Sequence, residues 1–197
     1  MARKVAKSVS LIERWRTWAP VAVLLLLCFV ITIVSPNFLS LGNFSRLLNS
    51  AAIPVVLAMG MTFIILMGSI DLSVEGNIAV TAVASSMLVV NDYTEIAIGL
   101  AAVPIAVLLG GALGLANGLL HVRLKTPSFM TTLGVGFAGV GIATAILEGA
   151  TVRVSDQVFR GLSLGRFLGM PMAVWIAALA VIIALTIQER TRLGRWL

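Results

Sequence analysis

The sequence predicts an all-α integral membrane protein with about six transmembrane helices. Three observations lead there. Hydrophobic residues fill 59% of the 197 positions, against an apolar share of roughly 45–50% in ordinary globular chains. Charged residues make up 11%, less than half of the ~25% that a soluble domain uses to cover its surface. Charge is also absent from six long runs: 17–45, 47–70, 76–91, 96–122, 126–147 and 167–188. Five of these exceed the ~20 residues that a helix needs to cross a hydrocarbon core of ~30 Å.

These features exclude several classes. Hydrophobicity rules out intrinsic disorder, and a single cysteine, Cys28, rules out a disulfide scaffold. The runs are continuously apolar rather than alternating, which argues against an outer-membrane barrel. The net charge of +6 does not signal nucleic acid, because the basic residues lie between spans and form no continuous patch. No small-x-small cleavage site follows Val34, so the first span reads as an uncleaved anchor with Trp15 and Trp18 at its interface.

In chain order, residues 1–18 form a cytoplasmic tail and 19–188 the transmembrane domain, with approximate spans 19–35, 47–70, 74–91, 96–120, 128–147 and 167–188. Residues 189–197 return to the cytoplasm. The orientation follows from basic residues: with the N-terminus inside, ten Lys and Arg lie inside and four outside. The outside loop 148–166 is the longest non-apolar stretch. The third span is short, and the second contains Pro54, Gly60 and Gly68. Such interruptions either mark a solute pathway or merely kink a packed helix.

Gly110, Gly114 and Gly118 fall on one face of the fourth span and predict close helix packing, with a lumen-lining role as the alternative. Gly134-Val135-Gly136-Phe137-Ala138-Gly139 fits G-x-G-x-x-G but lies inside an apolar run, so a dinucleotide site is rejected. Walker A, H-E-x-x-H and C-x-x-C patterns are missing, so no catalytic residue, cofactor or metal is expected. Asp71 and Glu75, one helical turn apart, are the most informative charges. They either cap a helix start or, as carboxylates at membrane depth, face a cavity or partner.

Gly68-Ser69-Ile70-Asp71-Leu72-Ser73-Val74 resembles the G-G-I-D-L-S-V-G motif of sugar permeases in bacterial ABC importers of the ribose/xylose type. Asn117-Gly118, Pro127-Ser128-Phe129 and Thr132-Leu133-Gly134 resemble the same family's N-G…P-x-F…T-L-G run, and Ser35-Pro36-Asn37-Phe38 before Asn43-Phe44 is similar too. Ser69 and Glu75 stand where the family has glycine, and Val140 where it often has arginine. Thr191-Arg192-Leu193-Gly194-Arg195 resembles the start of a segment that leads into the family's ATPase-docking helix, so the chain is expected to be an N-terminal portion of a larger permease fold.

The resemblance implies a permease subunit, not an enzyme, that carries a ribose- or xylose-like monosaccharide across the bacterial inner membrane. Its implied partners are a second permease chain, cytoplasmic ATPase subunits, a periplasmic sugar-binding protein and membrane lipid. Asp71, Ser73, Asn117, Gly118, Pro127, Phe129 and Thr132 are expected beside the pathway or its hinges. The alternatives are a truncated, non-transporting membrane scaffold and an ATP-independent facilitator.

Overall fold

The computed structural model describes residues 2–196, with side chains described for Arg16 and for 18–195. The tail's remaining basic residues and the Trp15 anchor therefore fall outside the described side chains. Two compact units divide at Leu48/Asn49.

In the first unit, α1 runs unbroken from Ala2 to Val34 with Pro20 inside it, and its apolar stretch is Trp18–Val34. A turn follows. The Ser40 hydroxyl accepts from the Asn43 N–H (3.2 Å) and so caps α2, Leu41–Leu66. The Asn43 amide donates back to the Phe38 carbonyl at 2.8 Å.

The second unit begins inside α2. Pro54 does not interrupt that helix; the interruption comes at Gly68. There φ is +71°, Ser69 N–H donates to Ile64 O and Gly68 N–H to Ile65 O. This pair of bonds is a Schellman stop, and glycine supplies the left-handed residue that it needs. After an irregular stretch come α3 (Val74–Met87), a 3₁₀ turn at Gly99–Ala101 leading into α4 (Ala102–Leu124), and α5 (Ser128–Leu147). Then follow α6 (Gln157–Leu164), a two-stranded hairpin of β1 (Arg166–Phe167) and β2 (Met170–Pro171), α7 (Met172–Arg190) and α8 (Arg192–Trp196).

Among the described residues, four helical stretches are long and apolar enough to cross a membrane: Leu41–Leu66, Gly99–Leu124, Ser128–Leu147 and Met172–Arg190. The other two expected spans are shorter. The first is the apolar part of α1, and the third is α3, whose 14 residues rise only about 21 Å. The expected 148–166 loop also holds α6, capped by Asp156 Oδ1 on Phe159 N–H at 2.8 Å.

Packing centres on α3, which lies mainly against α5 and also against α4. Buried apolar side chains are small: Ala52, Val83, Val89, Ala102, Ala143, Ala177 and Ala184. Large ones point outward, with Leu108 72% and Phe137 70% exposed. Small residues inside and bulky ones outside are what lipid-embedded helices require, since acyl chains solvate leucine as well as another helix does. The chain is an all-helical, multi-pass membrane protein.

Candidate functional site: a polar joint between apolar helices

The irregular stretch 67–73 leaves α2 and enters α3 beside the α4–α5 turn. That turn is tight: Lys125 adopts φ 51°, and the His121 ring donates from Nδ1 to the Thr126 carbonyl at 2.7 Å. Thr132 lies about 6 Å along α5 from its first residue, and Asn117 about 10 Å back from the end of α4. The joint thus sits one to two helical turns inside the apolar layer. Non-helical backbone at that depth is tolerated only when its polar groups are satisfied by protein.

Side chains of α5 satisfy part of them. Ile70 N–H donates to Ser128 Oγ at 3.1 Å, and Leu72 N–H donates to Thr132 Oγ1 at 3.0 Å. The Thr132 hydroxyl in turn faces the Ile70 and Phe129 carbonyls at 3.4 and 3.3 Å. Asp71 Oδ1 accepts from Ser73 N–H (2.7 Å) and from Ser73 Oγ (2.6 Å).

Ser73, with no exposed surface, is the hub. Its one hydroxyl proton goes to Asp71, and its oxygen accepts from Asn77 Nδ2 (3.2 Å) and Asn117 Nδ2 (3.0 Å). The hydroxyl is thereby saturated. That saturation turns the Asn117 amide so that Nδ2 faces Ser73, leaving Asn117 Oδ1 buried without a hydrogen-bond partner among the described residues. An orphaned buried acceptor costs about 1–3 kcal/mol.

Two hollows flank the joint. One, of about 550 Å³, is lined by Ile64 of α2, Met67, Ser69 and Asp71 of the irregular stretch, Asn117, Gly118 and His121 of α4, and Ser128 and Thr132 of α5. The other, of about 500 Å³, lies between Leu57 and Met61 of α2 and Leu72, Glu75 and Ile78. Asp71 lines both.

Close backbone approach holds α3 against α5. A Cβ added to Gly76 would overlap the Gly136 carbonyl oxygen and lie 2.8 Å from its Cα. One on Gly136 would lie 2.8 Å from Leu72 O, and one on Gly139 2.8 Å from the Gly76 carbonyl. The expected packing face at Gly110, Gly114 and Gly118 makes little close contact within this chain. Gly110 meets only Thr81 Cγ2, at 3.4 Å, while Gly114 and Gly118 have nothing within 4 Å and border the larger hollow. The close backbone approach of α3 is to α5 instead.

Of the expected site residues, Asp71, Ser73 and Asn117 come together in one network, Thr132 holds the adjoining Ile70–Leu72 backbone, and Gly118 lines the hollow beside them. Pro127 instead sets the start of α5, and Phe129 contributes its carbonyl while its ring is 44% exposed. Asn77, Ser128 and His121 were not singled out as site residues. Asn77 carried a readable signal, an amide one turn after Ser73, and Ser128 lay within the Pro-Ser-Phe motif.

The family described as branched-chain amino acid transport system / permease component matches residues 43–197. The chain is 31% identical over 178 residues to the ribose import permease protein RbsC of Escherichia coli (strain K12), covering 88% of this chain and 54% of that protein. It is 30% identical over 175 residues to the L-arabinose ABC transporter permease protein AraH of Azospirillum brasilense (89% and 50% covered). It is 32% identical over 193 residues to the galactofuranose transporter permease protein YtfT of E. coli (strain K12), with 93% and 55% covered. The chain thus spans about half the length of these curated relatives. No solved structure matches it significantly. The sugar-permease resemblance carried by residues 68–74 and 117–134 agrees with these relatives, which are permeases rather than enzymes: the chain belongs to the branched-chain amino acid transport system / permease component family.

Proposed function

We propose that the chain forms part of the membrane pathway of an ABC importer that carries a monosaccharide across the bacterial inner membrane, its N-terminus cytoplasmic. The observation that carries the reading is the polar joint itself: a carboxylate, a saturated serine and an unpaired asparagine oxygen beside a hollow among otherwise apolar helices. Polar groups at this depth are costly and mark solute routes. The ribose, L-arabinose and galactofuranose permeases that the chain resembles supply the solute class, a sugar. In this reading a second permease chain completes the pathway, and a periplasmic binding protein delivers the sugar. Cytoplasmic ATPase subunits shift the populations of inward- and outward-open states. Asp71, Ser73, Asn117, Gly118, Pro127, Phe129 and Thr132 act at the pathway or its hinges. The chain itself performs no covalent step.

The test is a chimera in which this chain replaces the matching portion of the E. coli ribose permease, expressed with its ATPase and binding protein in a transport-null strain. Labelled ribose, arabinose and galactofuranose are offered in turn. ATP-dependent uptake of at least one sugar is the expected result. Insertion without uptake of any would favour a scaffold, and uptake that persists without the ATPase would favour a facilitator.

A further inference from the structure

Away from the joint, residues 152–155 and α6 enclose an open groove of about 500 Å³, lined by Arg153, Ser155, Arg160 and Ser163 with Leu164 at its edge. The groove is built rather than incidental. The 152–156 segment is anchored by the Asn91–Val154 bridge and by Ser155 and Asp156 N–H groups donating to Val90 O at 2.8 and 3.2 Å. Asp156 commits Oδ1 to the α6 cap, and Arg160 and Ser163, at i and i+3, share one face of that helix. Two arginines and two serines therefore line one hollow. Such a set suits a tetrahedral oxyanion, because guanidinium forks pair with phosphate oxygens.

The surroundings identify which phosphate. The segment connects the end of α5 to the start of α7, both long enough to cross the membrane, so it lies at a membrane boundary. Apolar side chains protrude at the groove's edge and in the hairpin that follows α6: Leu164 is 66% exposed, Phe167 54% and Leu168 77%. Trp175 packs edge-on against Phe167 and donates Nε1–H to its carbonyl at 3.0 Å, the behaviour of an interfacial aromatic. A soluble anion needs no such apolar neighbours. A lipid does, since its acyl chains continue from the headgroup. We propose that this groove holds the headgroup phosphate of an anionic phospholipid and thereby fixes the α5–α7 connection to the membrane surface.

The full chain is reconstituted into phosphatidylethanolamine bilayers with or without phosphatidylglycerol, gently extracted, and its retained lipid counted by native mass spectrometry. The wild type should retain phosphatidylglycerol in preference to phosphatidylethanolamine. Replacing Arg153 or Arg160 by Gln should weaken retention about tenfold for each guanidinium lost, the ratio for one charge-assisted hydrogen bond. Lysine at both positions should keep part of it, and Arg46→Gln, at an exposed arginine elsewhere, should change nothing. Unaltered thermal midpoints confirm that the variants fold, and the lysine pair supplies the readout where the glutamine pair does not. Unchanged retention in the Arg153→Gln/Arg160→Gln variant overturns the proposal. So does complete displacement of lipid by millimolar inorganic phosphate, which would indicate a free-phosphate site. Intact lipid retention with lost capture of an acidic periplasmic protein would assign the groove to a protein partner instead.

Discussion

Gly76→Ala is the change that the α3–α5 packing tolerates least. The added methyl would overlap Gly136 O and sit 2.8 Å from Gly136 Cα, with Gly136 C at 2.9 Å. All three obstacles are backbone, so no rotamer change relieves them. Restoring an ordinary carbon–carbon separation of about 3.5–4.0 Å requires the helices to part by roughly 1 Å. Overpacking of this kind costs about 1–3 kcal/mol. Alanine's helical advantage over glycine, about 0.8–1 kcal/mol, offsets only part of that cost. The displacement also stretches the hub, because Gly136 lies against Leu72 O and Ser73 Cα. Gly114→Ala is the matched control, since it adds the same methyl where nothing lies within 4 Å. Unfolding of both variants in mixed micelles, followed by tryptophan fluorescence against denaturant fraction, should give a lower midpoint for Gly76→Ala and a midpoint at or above wild type for Gly114→Ala. Equal midpoints would refute the close-contact reasoning.

Three further outcomes follow from the same geometry. Thr132→Val strands Leu72 N–H inside the membrane layer and should lower unfolding free energy by about 1–3 kcal/mol, whereas Thr132→Ser keeps the acceptor and should recover most of it. Asp71→Ala removes the oxygen that holds both Ser73 N–H and Ser73 Oγ, so sugar uptake by the chimera should fall severalfold; Asp71→Asn should retain more of it, and Glu75→Gly should be milder than Asp71→Ala. In a Cys28→Ser background, an impermeant maleimide should label Ser155→Cys in intact cells and Thr191→Cys only after permeabilisation. The opposite pattern would invert the topology drawn from the basic residues.

Much of the fold was legible because a missing charge is a strong signal. The 126–147 run became α5, Ser128–Leu147, almost residue for residue. Boundaries were poorer wherever hydropathy and helicity part company. The 47–70 run stays apolar past Leu66, but the Gly68 stop ends α2 there, while Ser40 starts α2 earlier, across Asn43 and Arg46. The joint was legible as motif residues, not as a network. Spacing along the chain does not reveal that Asn117 reaches Ser73 across 44 residues, or that Thr132 meets Leu72 across 60. The glycine seam was hidden for a related reason. Gly136 and Gly139 lay within a pattern weighed only as a nucleotide fingerprint, and their partner Gly76 belongs to another helix. The i, i+4, i+8 regularity of Gly110, Gly114 and Gly118 drew attention to a face that borders a hollow.

The claim on which all of this turns is that sugar passes through the hollow beside the joint. Ser69, half-buried on its wall, offers a direct probe. In the chimera with Cys28→Ser, Ser69→Cys should react with a small hydrophilic thiol reagent, saturating sugar should slow that reaction, and the labelled protein should lose ATP-dependent uptake. Full labelling with uptake intact would contradict the account.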